Sequence, residues 1–298
     1  MRYTPQVGAD ITKSEHKTAH QAQKTRVFTQ KPVGTAFATA VEHNLLWELH
    51  KMKKTLLAVA LASSLTSFGA VAADKAPEPD FSISGNFGLF SDYRFRGMSQ
   101  TNKGMAAQGG FDLAHKSGLY AGTWTSNVAD WANTGGNGQE VDVYGGYKTE
   151  FVGIGVDIGY LAYIYPGNTA NPKQNTEETY IGLSYGPVSY KVSVAGNKWF
   201  GYAGSGSIYQ DLSASFSVSD KVTVGFHVGF QDVKHADVDL DFTDYKASVS
   251  YALPDNYTLG IAYVTTSGLS ASAKTTNFVG GGKKLYEGGA VISLTKTF

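Results

Sequence analysis

Cysteine is absent from all 298 residues, so neither a disulfide framework nor a thiolate metal site can be built. Proline is scarce at 8 residues. No apolar run is long enough for a membrane-spanning helix of about 20 residues. No Gly-rich phosphate loop follows a strand and opens a helix, and no motif joins a serine to a histidine. Net charge is missing too, because 25 Lys and Arg balance 25 Asp and Glu. That balance hides two unlike parts. Residues 1–73 carry 9 basic and 4 acidic side chains, whereas residues 74–298 carry 16 and 21. The acidic larger part argues against a nucleic-acid partner.

The boundary near 73 coincides with an export pattern. Met52, Lys53 and Lys54 form a basic start, Leu56 opens a short apolar run, and Ala70, Ala72 and Ala73 form a small-residue cleavage site. Residues 52–73 therefore read as a signal peptide, and 74–80, with Pro77 and Pro79, as a linker. A signal peptide belongs at an amino terminus. Residues 1–51 lack any period and read as disordered, a mis-assigned start with translation beginning at Met52. Trp47-Glu48 must be encoded by a purine-rich stretch that would serve as a ribosome-binding site just upstream.

Abundance points to strands. The chain holds 35 Gly, 16 Phe, 18 Tyr and 4 Trp. Taken two at a time from the end, Phe298, Lys296, Leu294, Ile292 and Ala290 face Thr297, Thr295 and Ser293, with Val291 the exception. A strand alternates its side chains between two faces, so one face is mostly apolar and the other hydroxylic. Phe81, Ile83, Gly85, Phe87 and Leu89 do the same, and the register is expected to run on through Tyr93 and Phe95 opposite Asp92, Arg94 and Arg96. About 12 such segments recur. Short connections at 115–118, 148–151, 186–187, 219–221 and 253–256 alternate with long ones at 97–104, 128–139, 166–177, 197–207, 231–243 and 265–286. Aromatics cluster near both sets, including Phe95, Trp131, Trp199 and Phe200 near the long loops. The fold expected for 81–298 is all-β: a transmembrane antiparallel up-and-down β-barrel with short periplasmic turns and long extracellular loops.

With apolar residues toward lipid, the pore-lining candidates are Asp92, Arg94, Arg96, Asp112, Glu140, Asp142, Asp157, Lys191, Asp211, His227, Asp244 and Lys246. Seven are acidic and four are Lys or Arg, which predicts weak cation preference. Two readings of Asp92, Arg94 and Arg96 stay open: a constriction binding an anionic solute group, or a salt-bridge network propping the wall. Asp232, Asp237, Asp239, Asp241 and Asp244 cluster, but the Gly and Glu of a calcium loop are missing, so they read as solvated surface. His115, His227 and His235 suggest no catalytic set. No cofactor, metal or enzyme activity is expected.

The segments Ser91-Asp92-Tyr93-Arg94-Phe95-Arg96-Gly97-Met98-Ser99-Gln100-Thr101 and Ser117-Gly118-Leu119-Tyr120-Ala121-Gly122-Thr123-Trp124-Thr125-Ser126-Asn127 resemble the TorF-type porin family, formerly a conserved hypothetical bacterial family. The resemblance covers about 81–298 and implies a porin role in the cell outer membrane, with no substrate or catalytic residue attached. The final strand resembles the closing strand of bacterial outer-membrane barrels, whose terminal Phe, here Phe298, is read by the barrel assembly machinery. The expected function is passive diffusion of small hydrophilic solutes, among outer-membrane lipid and lipopolysaccharide. The alternatives are a substrate-specific channel for a nucleoside or acidic sugar, and a non-transport barrel acting as adhesin, receptor or structural protein.

Overall fold

The computed structural model describes residues 79–234 and 239–298. The expectations for 1–51, for the signal peptide 52–73 and for most of the linker 74–80 lie outside the described residues. Twelve strands close into one antiparallel barrel. They are β1 (Phe81–Phe90), β2 (Ala106–His115), β3 (Leu119–Asn127), β4 (Gln139–Phe151), β5 (Ile154–Ile164) and β6 (Thr176–Tyr185). β7 (Val188–Ala195), β8 (Ile208–Ser217), β9 (Val222–Asp232), β10 (Phe242–Ala252), β11 (Tyr257–Ser267) and β12 (Gly289–Thr297) complete the ring. Each strand pairs with its sequence neighbours, and β12 pairs with β1. Closure leaves no strand edge, which hydrocarbon would penalise at several kcal/mol per unpaired N–H or C=O.

The two-residue alternation sorts the wall. Ile83, Phe111, Ile158, Ile261 and Ile292 are exposed on the outside. Asp112, Glu140, Asp142, Ser193 and Asp244, at positions of the opposite parity in their strands, are buried on the inside. Phe81, Phe151, Tyr185, Tyr251 and Phe298 form an exposed aromatic rim at the short-turn end. Lys296, the charged exception on the apolar face, lies 4.2 Å from the Tyr257 ring centroid at that rim. The ambiguous third segment resolves with Tyr120, Trp124 and Ser126 inward, since Trp124 stands opposite Asp142.

Three local expectations need correction. The turn expected at 148–151 is strand, and the reversal sits at Val152 and Gly153, both with positive φ, the pair of angles a two-residue hairpin turn demands. β1 stops at Phe90 instead of running on to Arg96. Trp199, Phe200 and Trp131 do not form an outer girdle. Trp199 is 5% exposed in a cluster with Met98, Val233, Leu240, Phe242, Leu269 and Phe278, against which Phe200 packs. Segments from four long loops thus supply their own apolar core and bury Trp199 in it, with Phe200 packed against it.

Candidate functional site: the lumen and its in-folded loop

Residues 91–105 leave β1 and fold into the ring. Arg94–Phe95 pairs with Met98–Ser99 in a small hairpin. Its turn is Arg96-Gly97, with φ of 45° and 78°. A Cβ on Gly97 would lie 2.7 Å from the Asp244 Cβ and closer still to Thr266, so the tip is pressed against the wall at β10 and β11. Other contacts fan out around the ring. Tyr93 Oη donates to Glu140 of β4 at 2.9 Å. Phe95 meets Tyr163 of β5 edge-on, with centroids 5.5 Å apart. The loop therefore touches walls from β4 to β10.

Asp92, Arg94 and Arg96 are consequently not three rungs of one strand face. Arg94 Nε donates to Asp92 Oδ2 at 2.6 Å, and both side chains are buried. Arg94 Nη1 donates to the carbonyls of Leu285 and Glu287 at 3.2 and 2.8 Å, and Ser99 Oγ donates to Asp92 Oδ1 at 2.6 Å. This pair pins the loop to its neighbour between β11 and β12. Arg96 instead crosses the lumen. Its Nη2 donates to Glu178 Oε2 of β6 at 2.7 Å and its Nη1 to Gln231 Oε1 of β9 at 2.9 Å. Its guanidinium lies 4.1 Å from the Tyr209 ring centroid of β8. Burial works against the Arg96 charge, but the Glu178 carboxylate outweighs it and its pKa moves up from the ordinary value.

The remaining candidates line the wall in two groups. Asp112 accepts from Tyr144 Oη and Asp157 from Tyr120 Oη, each at 2.6 Å. Tyr120 also touches the Tyr180 hydroxyl, and Lys148 Nζ stands 3.9 Å from Asp157. Lys191 is half-buried and Lys246 is not covered by neighbouring side chains, so the middle of the barrel keeps open space. Toward the outer end, Asp142 is 8% exposed and its Oδ1 has no hydrogen-bond partner.

His227 sits among Asp211, Asp244 and Ser213. Ser213 Oγ is 3.2 Å from His227 Nδ1, a spacing that invites a nucleophile reading. The bonds argue otherwise. Ser213 donates to Asp211 at 2.6 Å, and His227 faces Asp211 at Nδ1 (3.2 Å) and Asp244 at Nε2 (2.8 Å). Ionised carboxylates only accept, so both ring nitrogens donate and neither keeps a lone pair for a serine proton.

The acidic loop disperses. Asp241 caps the Val233 amide, Asp239 the Asp241 amide, Asp232 pairs with Lys234, and Asp244 points into the lumen. Asp237 and His235 lie outside the described residues. Among the described residues no group of three His, Asp or Glu is placed to hold a metal. His115 bonds Ser117 at the short-turn end.

Sequence reasoning missed Glu178, Lys148, Gln231 and Tyr209. Glu178 is legible in the alternation of β6, where Thr179 and Ile181 are exposed and Glu178 falls on the buried face. Lys148 was lost to the misplaced turn.

Apolar outside, charged inside and closed on itself, the chain is of the transmembrane β-barrel class. It belongs to the Gcw_chp family, described as bacterial proteins of unknown function, whose model matches residues 74–298. That match does not carry the TorF-type name. No curated protein matches the chain significantly in sequence. Solved structures with a similar chain course include the KdgM porin in complex with disordered oligogalacturonate, at 7% identity and a TM-score of 0.44, covering 72% of this chain and 97% of that one. The NanC porin in a rhombohedral crystal form is 11% identical at a TM-score of 0.44, over 73% and 99%. The Acinetobacter baumannii outer membrane protein Omp33 is 7% identical at a TM-score of 0.40, over 74% and 97%.

Proposed function

We propose that the protein is an outer-membrane channel of porin type for small hydrophilic solutes, narrowed by residues 91–105. The observation that carries this reading is the crossing of the lumen by Arg96, inside a wall that is charged within and apolar without. A ring of twelve strands leaves more room than one of eight and less than one of sixteen. The in-folded loop takes up part of that room, which favours a narrow, selective path over wide diffusion. The TorF-type resemblance supports a porin role and names no solute. Export by residues 52–73, insertion by the assembly machinery through Phe298, and contact with lipid and lipopolysaccharide complete the proposal.

A second reading is a non-transport barrel. The apolar loop core around Trp199, Leu240 and Phe278 favours it, because a sealed outer end passes nothing. Recordings of the purified protein in planar bilayers separate the two. Discrete conductance steps are expected; heat-modifiable, inserted protein that stays silent would support the second reading.

A further inference from the structure

Arg96 fills a pocket whose hydrogen-bond acceptors are wall residues, with the Phe95 ring of its own loop 4.8 Å from the guanidinium carbon. Glu178 supplies a carboxylate oxygen at 2.7 Å, Gln231 an amide oxygen at 2.9 Å, and Tyr209 a ring face 4.1 Å from the guanidinium carbon. Two separate acceptors and a flat ring suit a planar, forked cation. An ammonium also carries donors and is drawn to a ring face, but it is a compact point charge that cannot lie flat on the ring while its donors reach two separate acceptors in one plane. Tyr163 Oη, 3.3 Å from the same Glu178 oxygen, helps hold the carboxylate in place. A second observation lies next door. Asp142, opposite Tyr163 in register and 8% exposed, keeps an oxygen with no donor. A buried acceptor left unpaired is costly, and it offers a place for one more N–H.

The occupant is borne on a loop, whereas both acceptors and the Tyr209 ring belong to barrel strands. We infer that the pocket is a recognition site for solutes carrying a guanidinium or amidinium group, with Arg96 as its tethered internal occupant. Exchange of Arg96 for such a solute frees the tip of 91–105 from the wall. The inference rests on the channel reading above. Glu178 is 2% exposed at its side chain, so the pocket cannot stand empty without stranding a buried charge. A short flexible tether presents its group in the millimolar range, and the ordered hairpin around Arg96 holds it more firmly, so exchange in the wild-type protein needs more solute than that. Potassium lacks donors and competes poorly.

The test is chemical rescue. Arg96→Ala protein in detergent micelles is titrated with guanidinium chloride to about 20 mM, far below the molar concentrations at which guanidinium unfolds proteins. Methylammonium chloride and potassium chloride at matched ionic strength are the controls. Guanidinium is expected to raise the melting temperature of Arg96→Ala saturably, the controls to do less, and Arg96→Ala/Glu178→Gln to lose the response. Equal effects from all three cations, or an undiminished response in the double variant, overturn the inference. If Arg96→Ala does not fold alone, its refolding yield with each cation is read, and the same order is expected. Bilayer recordings of the wild-type protein keep the two claims apart. Rescue without any conductance removes the channel reading and leaves the pocket; conductance without rescue removes the pocket alone.

Discussion

Phe298 and Gly85 close the barrel. The Gly85 amide donates to the Phe298 carbonyl at 2.7 Å, and the Phe298 amide donates to the Gly85 carbonyl at 3.0 Å. The Phe298 ring lies over the space a Gly85 side chain would fill. Phe111 of β2 meets that ring edge-on, with centroids 6.2 Å apart. Deleting Phe298 removes both bonds at the seam where first and last strands join. Much less heat-modifiable barrel is expected in the outer membrane, measured by gel shift of membrane fractions. Gly85→Ala should cost under about 1.5 kcal/mol, because the crowded partner is a movable, exposed ring.

Arg94 and Arg96 should separate by phenotype. Asp92→Ala breaks a buried pair and strands Arg94, at about 3–5 kcal/mol. A lowered melting temperature and a noisier channel are expected. Arg96→Ala should instead raise single-channel conductance, because it withdraws a side chain that spans the lumen. Equal conductance in Arg96→Ala and wild type would mean that ions take another route.

Ion preference follows from the inner wall. Glu178 and Lys148 join the candidates, giving eight carboxylates against five Lys and Arg. His227, donating from both nitrogens, reduces the acidic excess to two. Weak cation selectivity is expected, fading toward 1 M salt, where the Debye length is about 3 Å. Reversal potentials in a KCl gradient measure it, and anion preference at low salt would show that Arg94 and Arg96 dominate locally.

His227 is a strut between two carboxylates. His227→Ala leaves Asp244, 3% exposed at its side chain, without its cation, and should destabilise the barrel by about 3–5 kcal/mol. Thermal unfolding in detergent reads this. A fluorophosphonate should fail to label Ser213, because His227 beside it donates from both nitrogens and keeps no lone pair for the serine proton.

Val152 is strained. A β-branched residue at φ 52° sits where Asn or Gly is favoured, at a cost of about 1–2 kcal/mol. Val152→Asn should raise the unfolding midpoint by a few degrees at unchanged conductance.

The alternation from Phe81 to Leu89 and from Ala290 to Phe298 already contained the strands, their two faces and the long–short rhythm. Those properties are local: a period of two residues and a turn signal need no distant partner. Twelve strands, closure and the inward placement of Asp112, Glu140, Asp157 and Lys246 all follow from that pattern. The course of 91–105 could not be read the same way. Tyr93, Phe95 and Arg96 alternate as a strand would, and only Glu140, Tyr163, Glu178, Tyr209 and Gln231, brought together by closure, draw them into the lumen. The alternation of Arg96 places it on an inner face, whereas its burial against a carboxylate 82 positions away is a property of the closed ring. Such long-range charge pairing has no period along the chain, so tertiary structure alone decides it.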